Sequence, residues 1–180
     1  PIIGANDGAS GVAVILELAK IMKKNPPPIG VSLVLFDAED YGTSADSWSY
    51  AKGSQFFAQN IPINYPMYAI NLDMIADREP EFYIERYSYQ QNPTLVLELW
   101  ELAESLNLDT FKKQAKYTIF DDHVPLYQMA GIPAIDIIDF DFPNEKTNYH
   151  HTHQDIVQNC SPKGLGEVGT LMLNHIYNIK

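Results

Sequence analysis

The run Val31 to Gly42, VSLVLFDAEDYG, constrains the fold of this chain more than any other stretch. Val31–Phe36 is short, rich in β-branched and aromatic residues and nearly unbroken in its hydrophobicity. That pattern predicts a strand buried on both faces of a parallel sheet. In open α/β sheets, ligands and reacting groups gather just past the carboxyl ends of such strands. This one runs into Asp37, Glu39 and Asp40. Adjacent carboxylates are costly there unless a positive charge holds them or one carries a proton. A solvated acidic loop is the plain alternative, and the rest of the chain has to decide between the two.

The pattern recurs. Met67–Leu72 predicts a second buried strand and ends at Asp73, and Tyr117–Phe120 predicts a short strand ending in Asp121-Asp122-His123. Ile132–Ile138 predicts another buried strand, running into an acidic, aromatic loop that carries His150, His151 and His153. Glu81–Tyr87 alternates as a further strand should. Between these lie helical spacings over 12–24, 53–60, 93–106, 124–130 and 162–179. Pro93 sits in a first turn, and Gly131 terminates the helix before it. Asp7 falls on the turn Gly4–Gly11 that leads into the first helix. Alternating helices and buried strands predict an α/β domain with a mostly parallel sheet, read as a single domain over 1–180. Thr43–Tyr50 reads as an irregular loop whose Trp48 is either a lid or a packing anchor. His175, inside the last helix, reads as structural.

Composition removes whole classes of partner. Twelve Lys and Arg against 23 Asp and Glu give a formal charge of −11. Nucleic acid and anionic membranes need a basic face, so neither is expected, whereas a metal ion or a substrate amine is compatible. The single Cys160 excludes an internal disulfide and has no nucleophile context. No apolar run reaches membrane-spanning length, and no signal peptide is read. The opening Pro-Ile-Ile-Gly, without Met and with a turn following at once, suggests a fragment or a processed form.

Acids and histidines from distant positions therefore meet where strand ends gather: Asp7, Glu39 with Asp40, Asp73, Asp121 and His151. Mixed carboxylate and imidazole donors suit zinc, and catalytic zinc keeps a position open for water or substrate. A bound cation also relieves the repulsion among so many acids. Glu39, beside a ligand, would be left free as a proton shuttle. There is no H-E-x-x-H, G-x-S-x-G or phosphate-cradling loop in the sequence.

The segments GANDGASGVAVILELA, LVLFDAEDYG, NLDMIA, DDHVPLYQMAGIPAIDII and HHTHQD follow one another in the order found in the M28 zinc-dependent exopeptidases. Glutaminyl cyclases share that fold. The resemblance covers nearly the whole chain and implies a three-layer α/β/α domain of the zinc aminopeptidase type, whose first strands precede Pro1. It implies that Asp7, Asp40 and His151 bind zinc and that Glu39 is the general acid/base. Asp73 corresponds to a ligand of a second zinc in aminopeptidases and to an active-site acid in cyclases; His150 and His153 flank the ligand position. The family's upstream H-x-D motif is not in this chain, which leaves one zinc or two open.

Within the family, the loop from Asp40 to Gly53, with Trp48 in it, resembles the bacterial glutaminyl cyclases, where a Trp here lines the substrate pocket. Asp121 likewise resembles the cyclases' active-site aspartate. Cyclases carry Trp immediately before the His ligand, where this chain has His150. The resemblance thus favours a cyclase that converts the N-terminal glutamine of peptides to pyroglutamate with release of ammonia. In it Glu39, Asp73 and Asp121 act and Trp48 contacts substrate. The alternatives are an aminopeptidase using the same residues, or a relic without metal. The family's bacterial members are commonly exported, so a periplasmic or secreted location is expected.

Overall fold

The computed structural model describes residues 1–62 and 64–179. Helix α1 (Ala9–Lys24) opens the chain and α2 (Lys52–Gln59) follows the acidic segment, with a single 3-10 turn at Ser47–Ser49 between them. Strand β1 (Ala69–Asp73), β2 (Phe82–Ile84), α3 (Arg86–Gln91), α4 (Pro93–Ser105) and β3 (Phe111–Ala115) come next. The chain closes with α5 (His123–Ala130), β4 (Ala134–Ile138), a minimal hairpin of β5 (Pro143–Asn144) and β6 (Thr147–Asn148), and α6 (Pro162–Asn178).

β1 and β4 pair in parallel, Ala69 opposite Ala134 and Asp73 opposite Ile138. β2 and β3 form a second parallel pair. Every residue of β4 is buried, including Asp136 amid its apolar neighbours, as in a strand covered on both faces. On one side, Val14 and Leu18 of α1, Leu95, Val96, Leu99 and Trp100 of α4, and Val168, Leu171 and Met172 of α6 pack with Ile135 and Ile137. On the other, Leu126 of α5, Ile132 and Ala134 meet Phe36 and Phe57. The result is the helix–sheet–helix layering expected of this sequence. α1 approaches β1 so closely that a Cβ at Gly11 would collide with the Leu72 carbonyl. Gly131 ends α5 in the left-handed region at φ 68°.

The structure corrects three sequence expectations. Val31–Phe36 is extended but carries no strand ladder among the described residues, and Leu33 and Leu35 are 40% and 56% exposed. Its apolar run was a strand signal that only a paired neighbour could complete. Tyr117–Phe120 is also without a ladder. The strand of that region lies earlier, at Phe111–Ala115, where only Phe111 is buried and FKKQA gives little periodic signal. The strand predicted over 81–87 stops at Ile84, because Glu85 turns to cap α3: its carboxylate accepts the Tyr87 and Ser88 amide hydrogens at 2.9 and 2.6 Å.

Candidate metal centre and acid cluster

The turn that carries Asp7 is fixed from both sides. Asp155, fully buried, accepts the backbone hydrogens of Asn6 and Asp7 at 2.7 and 3.1 Å. The Asn6 side-chain oxygen accepts the Ala76 amide at 2.7 Å, and Ser10 Oγ accepts that of Ile75 at 3.0 Å. Both partners lie just past the end of β1, so the turn is held against the strand end that presents Asp73. The Asp73 carboxylate reaches the same turn: a Cβ at Gly8 would sit 3.3 Å from its Oδ1.

Glu39 and Asp40 are delivered by the extended segment. The carbonyls of Asp37, Ala38 and Glu39 accept the amides of Gly53, Lys52 and Ala51 at 3.0, 3.2 and 2.8 Å. The acidic segment thus supplies acceptors for the otherwise unpaired amides at the start of α2. Gly53 makes this approach possible, since a Cβ there would lie 2.5 Å from the Asp37 carbonyl oxygen. Ala38, Met74 and His151 have φ of 53°, 48° and 58°. Each adjoins or is a predicted site residue, and non-glycine residues in the left-handed region concentrate at functional sites.

These constraints bring Asp7, Asp40, His150 and His151 together, each offering one donor atom within 4.8 Å of the others. His151 Nε2 lies 2.6 Å from Asp40 Oδ1 and 3.3 Å from Asp7 Oδ2, and His150 Nε2 lies 3.4 Å from the same Asp7 oxygen. Two carboxylates and imidazole nitrogens in this compass are a donor set suited to zinc. His153 does not join the group.

Glu39, Asp73 and Asp121 stand beside it and act on one another electrically. Burial, then Asp121 and a hydrogen bond with Asp40, push the Glu39 carboxyl up to about 10. Burial and the Asp121 charge hold Asp73 well above the usual carboxylate range, and burial followed by Asp40 raises Asp7 to about 6. Burial raises Asp121 as well. The cluster therefore holds protons that an added cation would displace.

Behind Asp121 runs a buried polar network that the sequence did not announce. Asn71 Nδ2 donates to Asp121 Oδ2 at 2.7 Å and to Asp136 Oδ1 at 3.2 Å. His123 Nε2 is 3.2 Å from Glu85 Oε2 and its Nδ1 is 3.9 Å from Asp136 Oδ2. Burial would raise Glu85, but the His123 contact and the amides of Ser88 and Ile119 outweigh it and lower the carboxyl. Asp121, reached through Asn71, is thereby anchored to the core rather than to solvent. No local spacing could have shown this, because the partners are side chains brought together by strand register.

Trp48 packs against the segment that leads into Asp121. Its ring meets that of Phe120, the residue before Asp121, edge to face at 5.0 Å between centroids. It stays 38% exposed. Asp46 accepts its backbone hydrogen at 3.0 Å, while its carbonyl accepts from Lys52 Nζ at 2.7 Å and Gln55 Nε2 at 2.9 Å. Trp48 is thus both anchored and accessible. A mixed-charge groove of about 520 Å³, lined by Arg78, Glu81, Lys112, Lys116, Asp139 and Asp141 among others, shares no residue with the site. Its Lys116 is already paired with Asp141 and Glu145.

A model of peptidase family M28 matches residues 1–176. The chain belongs to that family. It is 28% identical to aminopeptidase YwaD of Bacillus subtilis over 182 residues, which is 97% of this chain and 37% of that protein. Among solved structures, Tannerella forsythia glutaminyl cyclase is 37% identical with a TM-score of 0.94, covered over 100% of this chain and 65% of its own. A Zn-dependent exopeptidase from Parabacteroides distasonis is 34% identical with a TM-score of 0.92, over 99% and 65%. This M28 chain therefore spans just under two thirds of the length of those structures and little more than a third of that aminopeptidase, and its relatives include a bacterial glutaminyl cyclase, an aminopeptidase and a Zn-dependent exopeptidase. No helix among the described residues is long and apolar enough to cross a membrane.

Proposed function

We propose that this chain carries the reaction centre of a zinc-dependent glutaminyl-peptide cyclotransferase, acting on peptides and proteins with N-terminal glutamine. The observation that carries the reading is the edge-to-face contact of Trp48 with Phe120, which sets a partly exposed aromatic ring against the residue that precedes Asp121. A small substrate whose own amine must reach its own side-chain amide needs such a wall to fold it and exclude water, because hydrolysis competes with ring closure.

Asp7, Asp40 and His151 are the residues that would hold zinc. The bound ion supplies a Lewis acid for the amide carbonyl and positive charge that draws protons from the neighbouring acids. Glu39, once ionised, takes a proton from the substrate α-amine as that nitrogen bonds to the side-chain amide carbon. The bond from that carbon to the amide nitrogen breaks, and Glu39 returns the proton so that ammonia departs. Asp73 and Asp121 orient the amine and share the hydrogen-bonding load with Glu39. Asp121 is fixed for this by Asn71.

The second reading, an M28 aminopeptidase, is favoured by His150 standing where cyclases carry Trp, and by the likeness to an aminopeptidase. Incubating the intact protein with Gln-Phe-Ala separates the two. Ammonia and a pyroglutamyl peptide, both lost in Glu39→Gln, support the cyclase. Free glutamine without ammonia means the aminopeptidase. Neither product, with no zinc bound, means a relic. An exported location fits either activity and is read from the family alone.

A further inference from the structure

Glu85 does more than a helix cap requires. Its carboxylate is wholly withdrawn from water, which is costly unless its lone pairs are filled. Capping α3 fills only part of them: Oε1 accepts the Tyr87 amide at 2.9 Å and Oε2 that of Ser88 at 2.6 Å. Asp is itself a preferred cap, so capping does not explain the longer side chain.

Both oxygens take further donors from another part of the chain. Oε1 accepts the Ile119 amide at 3.0 Å, and Oε2 stands 3.2 Å from His123 Nε2. Oε2 also accepts the Ser88 hydroxyl at 2.9 Å, whose own oxygen is taken by the Asp136 amide. Every neighbour is a donor, which assigns the ionised form to Glu85 and places the His123 hydrogen on Nε2.

Ile119 and His123 stand two residues before and two after Asp121. The two oxygens of one carboxylate therefore grip the chain on both sides of that acid. Phe120, on which Trp48 packs, lies inside the same bracket. Backbone bonds from the β2 end stop short of it, joining Lys116 to Ile84 at 3.1 Å and Arg86 to Tyr117 at 2.9 Å. Asn71 holds the Asp121 side chain but not the backbone from which it projects.

We propose that Glu85 is a positioning residue for the reaction, setting the place of Asp121 and Phe120 through Ile119 and His123. The inference rests on the part given to Asp121 in the proposed function. Glu85 touches no substrate and supplies no proton; it acts only by holding the segment that does.

The test is made on the intact, zinc-loaded protein. Glu85→Asp keeps a cap for α3 and withdraws the carboxylate from Ile119 and His123. His123→Leu removes one flank of the grip and leaves the cap untouched. With Gln-Phe-Ala, each variant should lose kcat by roughly 10- to 100-fold while KM stays within about threefold. Zinc affinity by chelator competition should not change. The double variant should be no slower than the worse single one, because both remove one contact. Nitrogen NMR should show a solvent-protected Nε2 hydrogen on His123 in the wild type and its loss of protection in Glu85→Asp. Wild-type kcat in either variant, or multiplied losses in the double variant, would overturn the proposal. If Glu85→Asp does not fold, kcat of His123→Leu decides. A wild-type protein that yields neither product would overturn the proposed function, and the grip would then stand or fall on the Nε2 signal.

Discussion

Asp155 and Asp7 are separated by most of the chain, yet the Asp155 carboxylate accepts the Asp7 backbone hydrogen at 3.1 Å and that of Asn6 at 2.7 Å. One buried side chain thus fixes the peptide plane from which the candidate metal ligand Asp7 projects. Its neighbours Ala5 and Asp155 are also joined through the backbone, at 3.5 Å. Groups that orient a ligand commonly matter to metal affinity almost as much as the ligand does.

Asp155→Asn leaves one acceptor oxygen for two amide donors. It should weaken zinc binding by roughly 10- to 100-fold while the protein still folds. Chelator competition reads the first effect and circular dichroism the second. Unchanged affinity would mean that the turn is held by Asn6 and Ser10 alone.

Without zinc, the acid cluster makes stability depend on pH in a defined direction. Asp7 at about 6 and Glu39 at about 10 lie above their ordinary values of 3.8 and 4.5, so the folded state binds more protons than the unfolded state between those limits. Their contribution is present in full below about pH 4 and is lost as pH rises, first through about 6 and then through about 10. Urea midpoints of the chelator-treated protein should therefore fall across this window, Glu39→Gln should reduce the fall, and saturating zinc should flatten it. A midpoint that rises from pH 5 to 9 in chelator would contradict the arrangement of the acids.

Gly53→Ala puts a methyl group 2.5 Å from the Asp37 carbonyl oxygen and 2.7 Å from its nitrogen, both backbone atoms. Neither can swing aside as a side chain could. A loss of roughly 1–3 kcal/mol is expected, together with displacement of Glu39 and a large fall in turnover. Denaturant melts and steady-state kinetics measure the two. Retention of both would show that α2 is free to move off the acidic segment.

Trp48→Ala removes the ring that meets Phe120 and little else, since the loop is held through backbone atoms of Trp48. Stability should change by no more than about 1.5 kcal/mol. The KM for an N-terminal glutamine peptide should rise clearly more than kcat falls. Equal kinetics in wild type and variant would leave Trp48 a packing anchor only and remove the observation on which the cyclase reading stands.

The sequence announced elements whose stability is local and missed those defined by a partner. α4 and α6 were legible because each repeats its apolar residues on one face and begins at a proline. β4 was legible because four of its five residues are apolar, as a strand covered on both faces demands. Phe111–Ala115 was not, since a strand that buries one side chain leaves no alternation to read. The same division runs through the site. Asp7, Asp40 and His151 stand in short motifs at the ends of elements. Asn71, Glu85, His123, Asp136 and Asp155 work through contacts 38 to 149 residues apart in the chain, beyond any periodic reading.

The pairing of β1 with β4 sets Asn71 opposite Asp136, and their side chains join at 3.2 Å. A one-residue slip between the strands would turn every side chain of one strand to the opposite face. It would detach Asn71 from Asp136, and with it the anchor of Asp121. Insertions and deletions in this chain are therefore unevenly tolerable. The loop from Tyr41 to Tyr50 can vary in length and reshape what enters the site. The stretch from Ala134 to Ile138 cannot gain or lose a single residue without dismantling the acid cluster, even though most of its side chains face only the core.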